Sequence, residues 1–237
     1  MQKDKQAGAE EVVRQAVYLL TKGTPEDFNM LYRQRQFQAR ASVIDEACMA
    51  MDFPYEKRHN FYTYVYNRLV RKAPVDYLEF GVATGESFRS WLSLSPQPES
   101  RFYGFDSFEG LPEKWQADSP KGAYSTGGQI PQDDDTRATF IKGLFQHTVD
   151  DFSLNYTPRN RMVMHMDADL YSSTLYVLMT MNRHIRPGTL ILFDEFTARG
   201  FTDECAALED YCQACCRSYT IKARRRDFVK LAVEITE

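Results

Sequence analysis

The 237-residue sequence predicts an α/β fold, in which a Rossmann-like sheet, mostly parallel with an antiparallel last strand, follows an N-terminal helical extension. From residue 75 onward, apolar runs of strand length alternate with segments whose apolar residues recur at helical spacing. The first run leads into a glycine-bearing turn and a helix, as a nucleotide-type sheet begins. The last two runs, 218–225 and 228–235, alternate in polarity around a tight turn, which predicts a β-hairpin. We therefore divide the chain into an extension, residues 1–72, and a domain, residues 73–237.

The composition is that of an ordinary globular protein, with 43% hydrophobic and 26% charged residues, which is enough to bury a full core. The formal net charge of -4 argues against a nucleic-acid partner, because such domains are usually basic. The N-terminal residues lack an apolar signal region, and no uninterrupted apolar run approaches membrane-spanning length. We expect a cytoplasmic protein with no membrane or nucleic-acid partner.

Four of the five cysteines lie between residues 205 and 216, in one predicted helix. Cys205, Cys212 and Cys216 fall on one helical face, which suits small buried side chains in a reducing compartment. A zinc site at Cys212 and Cys215 would need two further ligands, and no second pair or nearby histidine supplies them. Core packing is the better interpretation.

The extension is predicted to be helical throughout, with one helix over residues 10–20. A second helix begins after Thr24, because Pro25 occupies the first helical position and Asp27 follows the cap by three residues. A third helix, over residues 56–72, is rich in tyrosine and phenylalanine. Core packing accounts for most of these rings, although a few could line a substrate pocket or form a contact of a homo-oligomer, such as a dimer.

The remaining elements of the domain follow from the same patterns. A stretch rich in Gly, Pro, Asp and Ser, residues 113–136, predicts a long loop, and we interpret residues 115–132 as a lid over a cleft. A parallel sheet finished by a β-hairpin is the arrangement of class I methyltransferases. The predicted strands are 75–80, 101–105, 138–143, 162–166, 189–193, 218–225 and 228–235, and the predicted helices are 86–92, 148–152, 172–185 (capped by Ser172 and Ser173) and 202–216.

The turn after the first strand of the domain contains Gly81-Val-Ala-Thr-Gly85, in which glycine lets the backbone approach a ligand closely. The spacing is not that of the dinucleotide fingerprint G-x-G-x-x-G, which counts against a nicotinamide enzyme. Asp106 ends the next strand, more than about 20 residues further on, where an acidic residue can hold both ribose hydroxyls of a nucleoside. The two signals together predict a nucleoside site.

Four acidic residues end two neighbouring strands: Asp167 and Asp169 follow one, and Asp194 and Glu195 follow the other. Because ligands bind beyond the carboxyl ends of parallel strands, these carboxylates should surround one cleft. Such an oxygen-only set suits a hard divalent cation. A lone strand-end aspartate more often caps the following helix, but four together favour a site. His165, within the strand, is interpreted as a core histidine.

With these residues in view, the chain resembles the macrocin O-methyltransferase (TylF-type) family, which uses S-adenosylmethionine and includes sugar O-methyltransferases. The more specific motifs are Phe-Asp-Ser-Phe-Glu-Gly-Leu-Pro and Asp-Ala-Asp-Leu-Tyr, whereas the glycine turn is shared with many folds. The matching segments, in the order of the family, are 77–87, 102–112, 121–128, 142–148, 166–174 and 192–196.

The resemblance implies a role for each matching position. Asp169 falls where the family places a proposed general base, and Asp167 lies on both the cofactor side and the metal side. Glu195 stands where the family often has aspartate, His147 stands where an acidic residue is usual, and the first seventy residues differ. The implied contacts are Glu79, Gly81, Gly85, Glu86 and Ser87 for the methionine and ribose of the cofactor, Asp106 and Ser107 for its ribose and adenine, and Asp167, Asp194 and Glu195 for Mg²⁺.

The expected activity is a Mg²⁺-assisted, S-adenosylmethionine-dependent methylation of a hydroxyl on a small molecule, such as a sugar or a glycosylated natural product. A water-like hydroxyl lies ~12 pK units above an ordinary aspartate, so an alcohol acceptor requires a cation that lowers its pKa. For a phenol or catechol acceptor, the cation would be helpful rather than required. Mn²⁺ or Ca²⁺ remains an alternative to Mg²⁺, and a catalytically silent S-adenosylmethionine-binding protein remains an alternative function.

Overall fold

An eight-stranded mixed sheet lies at the centre of the part of the chain described by the computed structural model, residues 17–19, 21–40 and 44–237. The strands are β1 (Ile44–Met51), β2 (Val75–Phe80), β3 (Arg101–Asp106), β4 (Ala138–Lys142), β5 (Arg161–Met166), β6 (Leu190–Phe193), β7 (Tyr219–Arg225) and β8 (Leu231–Ile235). The α-helices are α1 (Pro25–Arg40), α2 (His59–Tyr64), α3 (Glu86–Leu94), α4 (Phe145–Asn155), α5 (Tyr171–Met181) and α6 (Glu204–Ala214).

The strands are arranged in the order β1-β7-β8-β6-β5-β2-β3-β4, and β8 runs antiparallel to both of its neighbours. The remaining pairs are parallel, so the predicted sheet with an antiparallel last strand is confirmed. The chain extends from β2 through β3 to β4 and then returns to β5 on the other side of β2. This reversal opens a crevice at the carboxyl ends of the central strands, where open α/β sheets bind ligands.

The central strand β2 is buried at all six positions because helices cover both faces of the sheet. Its side chains alternate between two cores, as the two-residue period of a strand requires. Leu78 and Phe80 pack in the core that contains residues of α5 and α6, whereas Val75 and Tyr77 pack with residues of α2 and α3. The two cores fix the register of β2 and hold its carboxyl end in place.

The aromatic residues predicted over 56–72 lie in a helical run of three parts, and most of them pack in the core. A 3₁₀ turn over Tyr55–Lys57 precedes α2, which continues directly into a π-helical turn over Val65–Val70. Phe61 and Tyr62 are 1% exposed. Core packing is therefore confirmed for these rings.

The capping prediction at Thr24 is confirmed, because the backbone N–H of Asp27 donates to the Thr24 Oγ1 (3.2 Å) and that of Thr24 donates to the Asp27 carboxylate (2.8 Å). The prediction that the whole extension is helical is wrong, since β1 pairs with β7 at the sheet edge. Half of the β1 residues are exposed, so backbone pairing rather than an apolar face forms this strand. Of the helix predicted over residues 10–20, only 17–19 are described, and they are helical; the rest lies outside the described residues.

Several predicted boundaries shift. Helix α4 covers eleven residues rather than five, and α5 ends at Met181 rather than at residue 185. The N-cap residue of α5 is Leu170, which makes no side-chain capping hydrogen bond. The capping role predicted for Ser172 and Ser173 is therefore wrong. The last strand begins at Leu231 because Phe228 adopts a positive φ of 61° in the preceding turn.

The cysteine prediction is confirmed for Cys205 and Cys212, which are buried in α6. It is wrong for Cys216, which is exposed. The helix ends at Ala214, and Cys216 has a φ of 51°, so it no longer shares the helical face of the other two. Among the described helices, none combines the length and apolarity needed to cross a bilayer.

Candidate active site

A cavity of about 250 Å³ lies at the carboxyl ends of the central strands. Its floor is formed by the turn after β2 and by residues that follow β3, β5 and β6. The segment after β3 and the N-terminal residues Tyr55 and Arg58 complete the walls. The cleft predicted from the strand ends is therefore present.

The glycine turn is shaped by contact with the neighbouring strand end. Gly81 has a φ of +98°, and a Cβ on it would lie 1.8 Å from the carbonyl oxygen of Asp167. No other residue fits this position without moving the backbone of β5 or β2. Gly81 lines the cavity, whereas Gly85, with a φ of +80°, begins α3 and does not contribute to the wall.

Asp106 and Ser107 line the cavity next to this turn. One carboxylate oxygen of Asp106 accepts hydrogen bonds from the backbone N–H groups of Val82 (2.8 Å) and Ala83 (2.7 Å), and the other accepts one from Phe108 (2.7 Å). The side chain thus ties the glycine turn to the turn after β3. This is a structural task that sequence reasoning did not foresee beside the predicted contact with ribose.

Glu79 is fully buried and does not line the cavity, unlike Glu86 and Ser87. Its carboxylate accepts hydrogen bonds from the Ser87 hydroxyl (2.6 Å) and from the Tyr77 hydroxyl. Glu79 therefore lies behind the wall and orients Ser87. The predicted cofactor residues on β2 and α3 are brought together, but Glu79 reaches the cavity only through its contact with Ser87.

The carboxylates after β5 and β6 divide into two groups. Asp167, Asp169 and Glu195 line the cavity, and within the described part of the chain no donor forms a hydrogen bond with their side-chain oxygens. Burial, followed by repulsion from Glu195 and Asp194, raises the pKa of Asp169 to about 7. Burial and the charge of Asp194 raise the pKa of Glu195 to about 6. Asp169 also has a φ of 59°, a conformation that aspartate tolerates better than most residues.

Asp194 does not line the cavity and is 1% exposed. One carboxylate oxygen lies 2.5 Å from the Nζ of the fully buried Lys230, and the other accepts a hydrogen bond from the Tyr62 hydroxyl (3.1 Å). Burial alone would raise the pKa of Asp194, but Lys230 and His165 hold it well below its usual range. The charge of Asp194 is therefore balanced internally.

His165 connects Asp194 to Glu79, which confirms that it is a hydrogen-bonded core histidine. Its Nδ1 lies 2.8 Å from the Tyr77 hydroxyl, and its Nε2 lies 3.4 Å from an oxygen of Asp194. Burial lowers the pKa of the imidazole, but the hydrogen bonds with Asp194 and Glu79 outweigh it and raise the pKa to about 10. As an imidazolium, His165 donates to the Tyr77 hydroxyl and to the Asp194 carboxylate.

The donor set fits a hard cation. Ligand atoms of His165, Asp167 and Asp194 all lie within 4.8 Å of one another, but an imidazolium at His165 has no lone pair with which to bind a metal. Asp167 has a pKa raised well above its usual range by burial and by Asp194, so its ionised form needs a positive charge nearby. Because Asp194 already has Lys230, the oxygens free to bind a cation are those of Asp167, Asp169 and Glu195. Carboxylate oxygens are what Mg²⁺ prefers.

Sequence reasoning missed four positions that line the cavity or contact the strand-end acids. Tyr55 and Arg58 enter the cavity from the N-terminal extension, and no local pattern distinguishes them from other helical residues. Lys230 does carry a signal, since it is a lysine within an alternating apolar run. Glu204, at the start of α6, is fully buried, and it accepts a hydrogen bond from the backbone N–H of Glu195 (3.1 Å). His147, by contrast, is exposed on α4 and does not line the cavity.

Part of the predicted lid covers the cavity. Leu111, Trp115 and Tyr124 line it, and the indole N–H of Trp115 donates to the Asp203 carboxylate (2.9 Å) at the start of α6. This contact fastens the segment across the opening. Whether it opens for ligands stays a prediction.

Comparison with solved structures identifies relatives of this fold. The crystal structure of CalS11, a calicheamicin methyltransferase, has a TM-score of 0.58 at 18% identity and covers 89% of this chain and 93% of that chain. The O-methyltransferase NovP also has a TM-score of 0.58 at 18% identity, over 76% of this chain and 80% of its own. An O-methyltransferase from Bacillus cereus, solved in complex with SAH, has a TM-score of 0.52 at 14% identity, over 95% and 97%.

These likenesses establish the class I methyltransferase fold. A search of curated proteins gives no match. Residues 78–196, half of the chain, match the profile of a family described as a methyltransferase domain, and this segment contains the glycine turn and all four strand-end acids. The chain therefore belongs to the methyltransferase domain family.

Proposed function

We propose that the protein is an S-adenosylmethionine-dependent, Mg²⁺-assisted O-methyltransferase acting on a hydroxyl of a small molecule, such as a sugar or a glycosylated natural product. The observation that carries the proposal is that the glycine turn after β2 and the free carboxylates Asp167, Asp169 and Glu195 line one cavity. A nucleoside cofactor and a cation-bound hydroxyl would then meet in the same space.

The TylF-type family is the specific relationship that we propose. Two structural neighbours support it, since CalS11 is described as a calicheamicin methyltransferase and as a TDP-rhamnose 3′-O-methyltransferase, and NovP as an O-methyltransferase. The Bacillus cereus neighbour with SAH supports the cofactor. The motifs of the family lie in this chain at the turns that form the cavity.

Each group in the cavity has a task in methyl transfer. The backbone of the glycine turn would lie against the cofactor, while Glu86, Ser87, Asp106 and Ser107 would contact its polar groups. When bound, S-adenosylmethionine supplies an electrophilic methyl group, and Mg²⁺ lowers the pKa of the hydroxyl to be methylated. Holding the two reactants in line can contribute ~7–11 kcal/mol.

Asp169 is the proposed general base. Its pKa of about 7 makes it a better proton acceptor than an ordinary aspartate, provided that it is ionised. Turnover should therefore rise with pH as Asp169 ionises, and a bound cation, which lowers the pKa of a neighbouring carboxyl, should place this rise below pH 7. Asp167 and Glu195 would hold the cation from the cavity side, whereas Asp194, the third ligand that the resemblance implied, is already paired with Lys230.

We also propose that residues 1–72 form an extension on the acceptor side of residues 73–237. Tyr55 supports this division, because it lines the cavity although it precedes the methyltransferase domain. A phenolic or catechol acceptor is the second candidate, since the aromatic rings of Tyr55, Trp115 and Tyr124 suit a planar acceptor as well as a sugar.

The direct test incubates the protein with S-adenosylmethionine, Mg²⁺ and panels of sugar, glycoside and catechol acceptors, and detects the transferred methyl group by mass spectrometry. We expect methylation of one acceptor class and loss of turnover in excess chelator. Full turnover with chelator would contradict the role of the metal. Binding of S-adenosylmethionine without turnover on any acceptor would favour a silent binding protein, and stabilisation by NAD instead would contradict the proposal.

A further inference from the structure

Arg58 is the only basic residue that lines the cavity within the described part of the chain. The other charged residues of the wall are acidic: Glu86, Asp106, Asp167, Asp169 and Glu195. An anionic group of any ligand in this cavity therefore has one side chain with which it can form an ion pair. Arg58 is not assigned by the motifs, because it lies in the extension, outside residues 78–196.

The guanidinium of Arg58 is held in a fixed orientation. Its side chain is 15% exposed, its Nη2 donates to the Glu86 carboxylate (2.6 Å), and its Cζ lies 4.5 Å from the centroid of the Tyr55 ring. Elsewhere in the described residues no acceptor takes another hydrogen bond from this guanidinium, so several of its five N–H donors remain available. A fixed guanidinium with free donors is well suited to a carboxylate, which it binds with two parallel hydrogen bonds.

Arg58 and Glu86 thus present a positive and a negative group side by side at the edge of the cavity. Glu86 is the first residue of α3 and lies next to Ser87, on the wall formed by the glycine turn. An adjacent pair of opposite charges is complementary to a zwitterion, whose carboxylate would meet the guanidinium while its ammonium meets the glutamate.

We infer that Arg58 and Glu86 bind the amino-acid end of the cofactor, with Arg58 holding the α-carboxylate and Glu86 the α-ammonium. The inference rests on the proposed function, because it takes S-adenosylmethionine as the ligand. The α-carboxylate is the only anionic group of that molecule, and Arg58 is the only cation that the described wall offers it. The extension would then close the cofactor site, and residues 78–196 alone would not complete it.

The test compares three nucleosides by isothermal titration calorimetry. S-adenosylhomocysteine has both charged groups, S-adenosyl-3-thiopropylamine lacks only the carboxylate, and 5′-methylthioadenosine lacks both. In Arg58→Met we expect the affinity for S-adenosylhomocysteine to fall about 10- to 100-fold, while the affinities for the other two change less than about twofold. In Glu86→Gln we expect weaker binding of both ammonium-bearing ligands and unchanged binding of 5′-methylthioadenosine.

Arg183→Met is the matched control, because Arg183 is an exposed arginine outside the cavity wall, and we expect it to leave all three affinities unchanged. Unchanged binding of 5′-methylthioadenosine also shows that a variant is folded. The inference is overturned if Arg58→Met weakens all three ligands equally, or if it weakens none of them. If the wild-type protein binds none of the three nucleosides, the proposed cofactor itself is contradicted. This result differs from those that overturn only the role of Arg58.

Discussion

Two adjacent residues at the end of β6, Asp194 and Glu195, have opposite surroundings. Asp194 enters the core and is paired with Lys230, while Glu195 lies in the cavity wall, where no described residue donates to its carboxylate. The same division extends to the neighbouring strand end, where Asp167 and Asp169 join the cavity group. The strand-end acids thus fall into two groups. The charge of Asp194 is balanced by neighbours in the core, whereas the charges of the acids in the cavity wall are not balanced.

Whether a carboxylate is charge-balanced therefore distinguishes the residues that support the site from the core from those that form the site. On the core side, Lys230 and the His165 imidazolium balance Asp194 and Glu79, and hydroxyls of Tyr62, Tyr77 and Ser87 satisfy the remaining oxygens. On the cavity side, Asp169 is repelled by Glu195 and Asp167 is repelled by Asp169, and binding of protons or a cation relieves this repulsion. We regard this imbalance as the central property of the site.

Removing the proposed base should have the largest effect. Asp169→Asn keeps the shape of the side chain but cannot accept a proton, so turnover is expected to fall by about 10²–10⁴-fold. Binding of S-adenosylhomocysteine should not change. The rates are to be measured under saturating acceptor and cofactor, and turnover within about threefold of wild type would exclude Asp169 as the base.

Breaking the buried pair should destabilise the fold. Lys230→Met removes one of the two positive groups that balance the buried Asp194, and we expect a loss of about 3–5 kcal/mol in the free energy of unfolding, measured by urea titration at neutral pH. Lys222→Met is the control, because Lys222 forms a partly exposed ion pair with Asp45 (2.6 Å) at the sheet edge. That pair should contribute no more than about 1 kcal/mol. Equal losses in the two variants would contradict the distinction.

The stability of the protein should fall as the pH rises and Asp169, one of the cavity-lining carboxylates, becomes ionised. Because the pKa of Asp169 is raised to about 7 in the folded protein, its contribution to stability is fully present below its usual pKa, 3.8, and is lost as the pH rises through 7. Without added metal, Asp169→Asn should therefore be more stable than wild type at pH 8, by roughly 1–4 kcal/mol, but not at pH 4. Thermal melts across this range provide the measurement. A constant difference between the proteins would show that Asp169 titrates normally.

A smaller effect is expected from the hydroxyl that links His165 to Glu79. Tyr77→Phe removes one buried hydrogen-bonding group from the support and should cost about 1–2 kcal/mol in the free energy of unfolding. Tyr103→Phe is a suitable control, since no described residue bonds to the Tyr103 hydroxyl. Urea titrations of the two variants at the same pH separate lost hydrogen bonds from lost ring packing. Similar losses in the free energy of unfolding for the two variants would show that the Tyr77 hydroxyl adds little to stability.

Much of this arrangement could be predicted from the sequence, because the central strands are long apolar runs that end in glycine or in acids. Strand β1 was missed, since its residues are half exposed and it depends on pairing with β7, over 160 residues away. Sequence adjacency likewise could not separate Asp194 from Glu195. Their surroundings differ because Lys230, which approaches from the hairpin, pairs with Asp194.

The contribution of the extension was also beyond sequence reasoning. Arg58 and Tyr55 belong to a helical run whose other rings serve the core, and their place in the cavity wall depends on how this run packs against α3. Glu204 was missed for a similar reason, because its carboxylate reaches the backbone of Glu195 only once α6 is folded.

The most direct test of the charge imbalance is a calorimetric titration of the metal-free protein with Mn²⁺ at pH 7, carried out in buffers of different ionisation enthalpy. We predict binding of one Mn²⁺ with release of protons, because the raised pKa values of Asp169 and Glu195 leave these carboxyls partly protonated. Asp167→Asn should weaken this binding by at least about tenfold. Absence of Mn²⁺ binding at millimolar concentration, or binding that neither releases protons nor depends on Asp167, would contradict a cation site among the cavity-facing carboxylates.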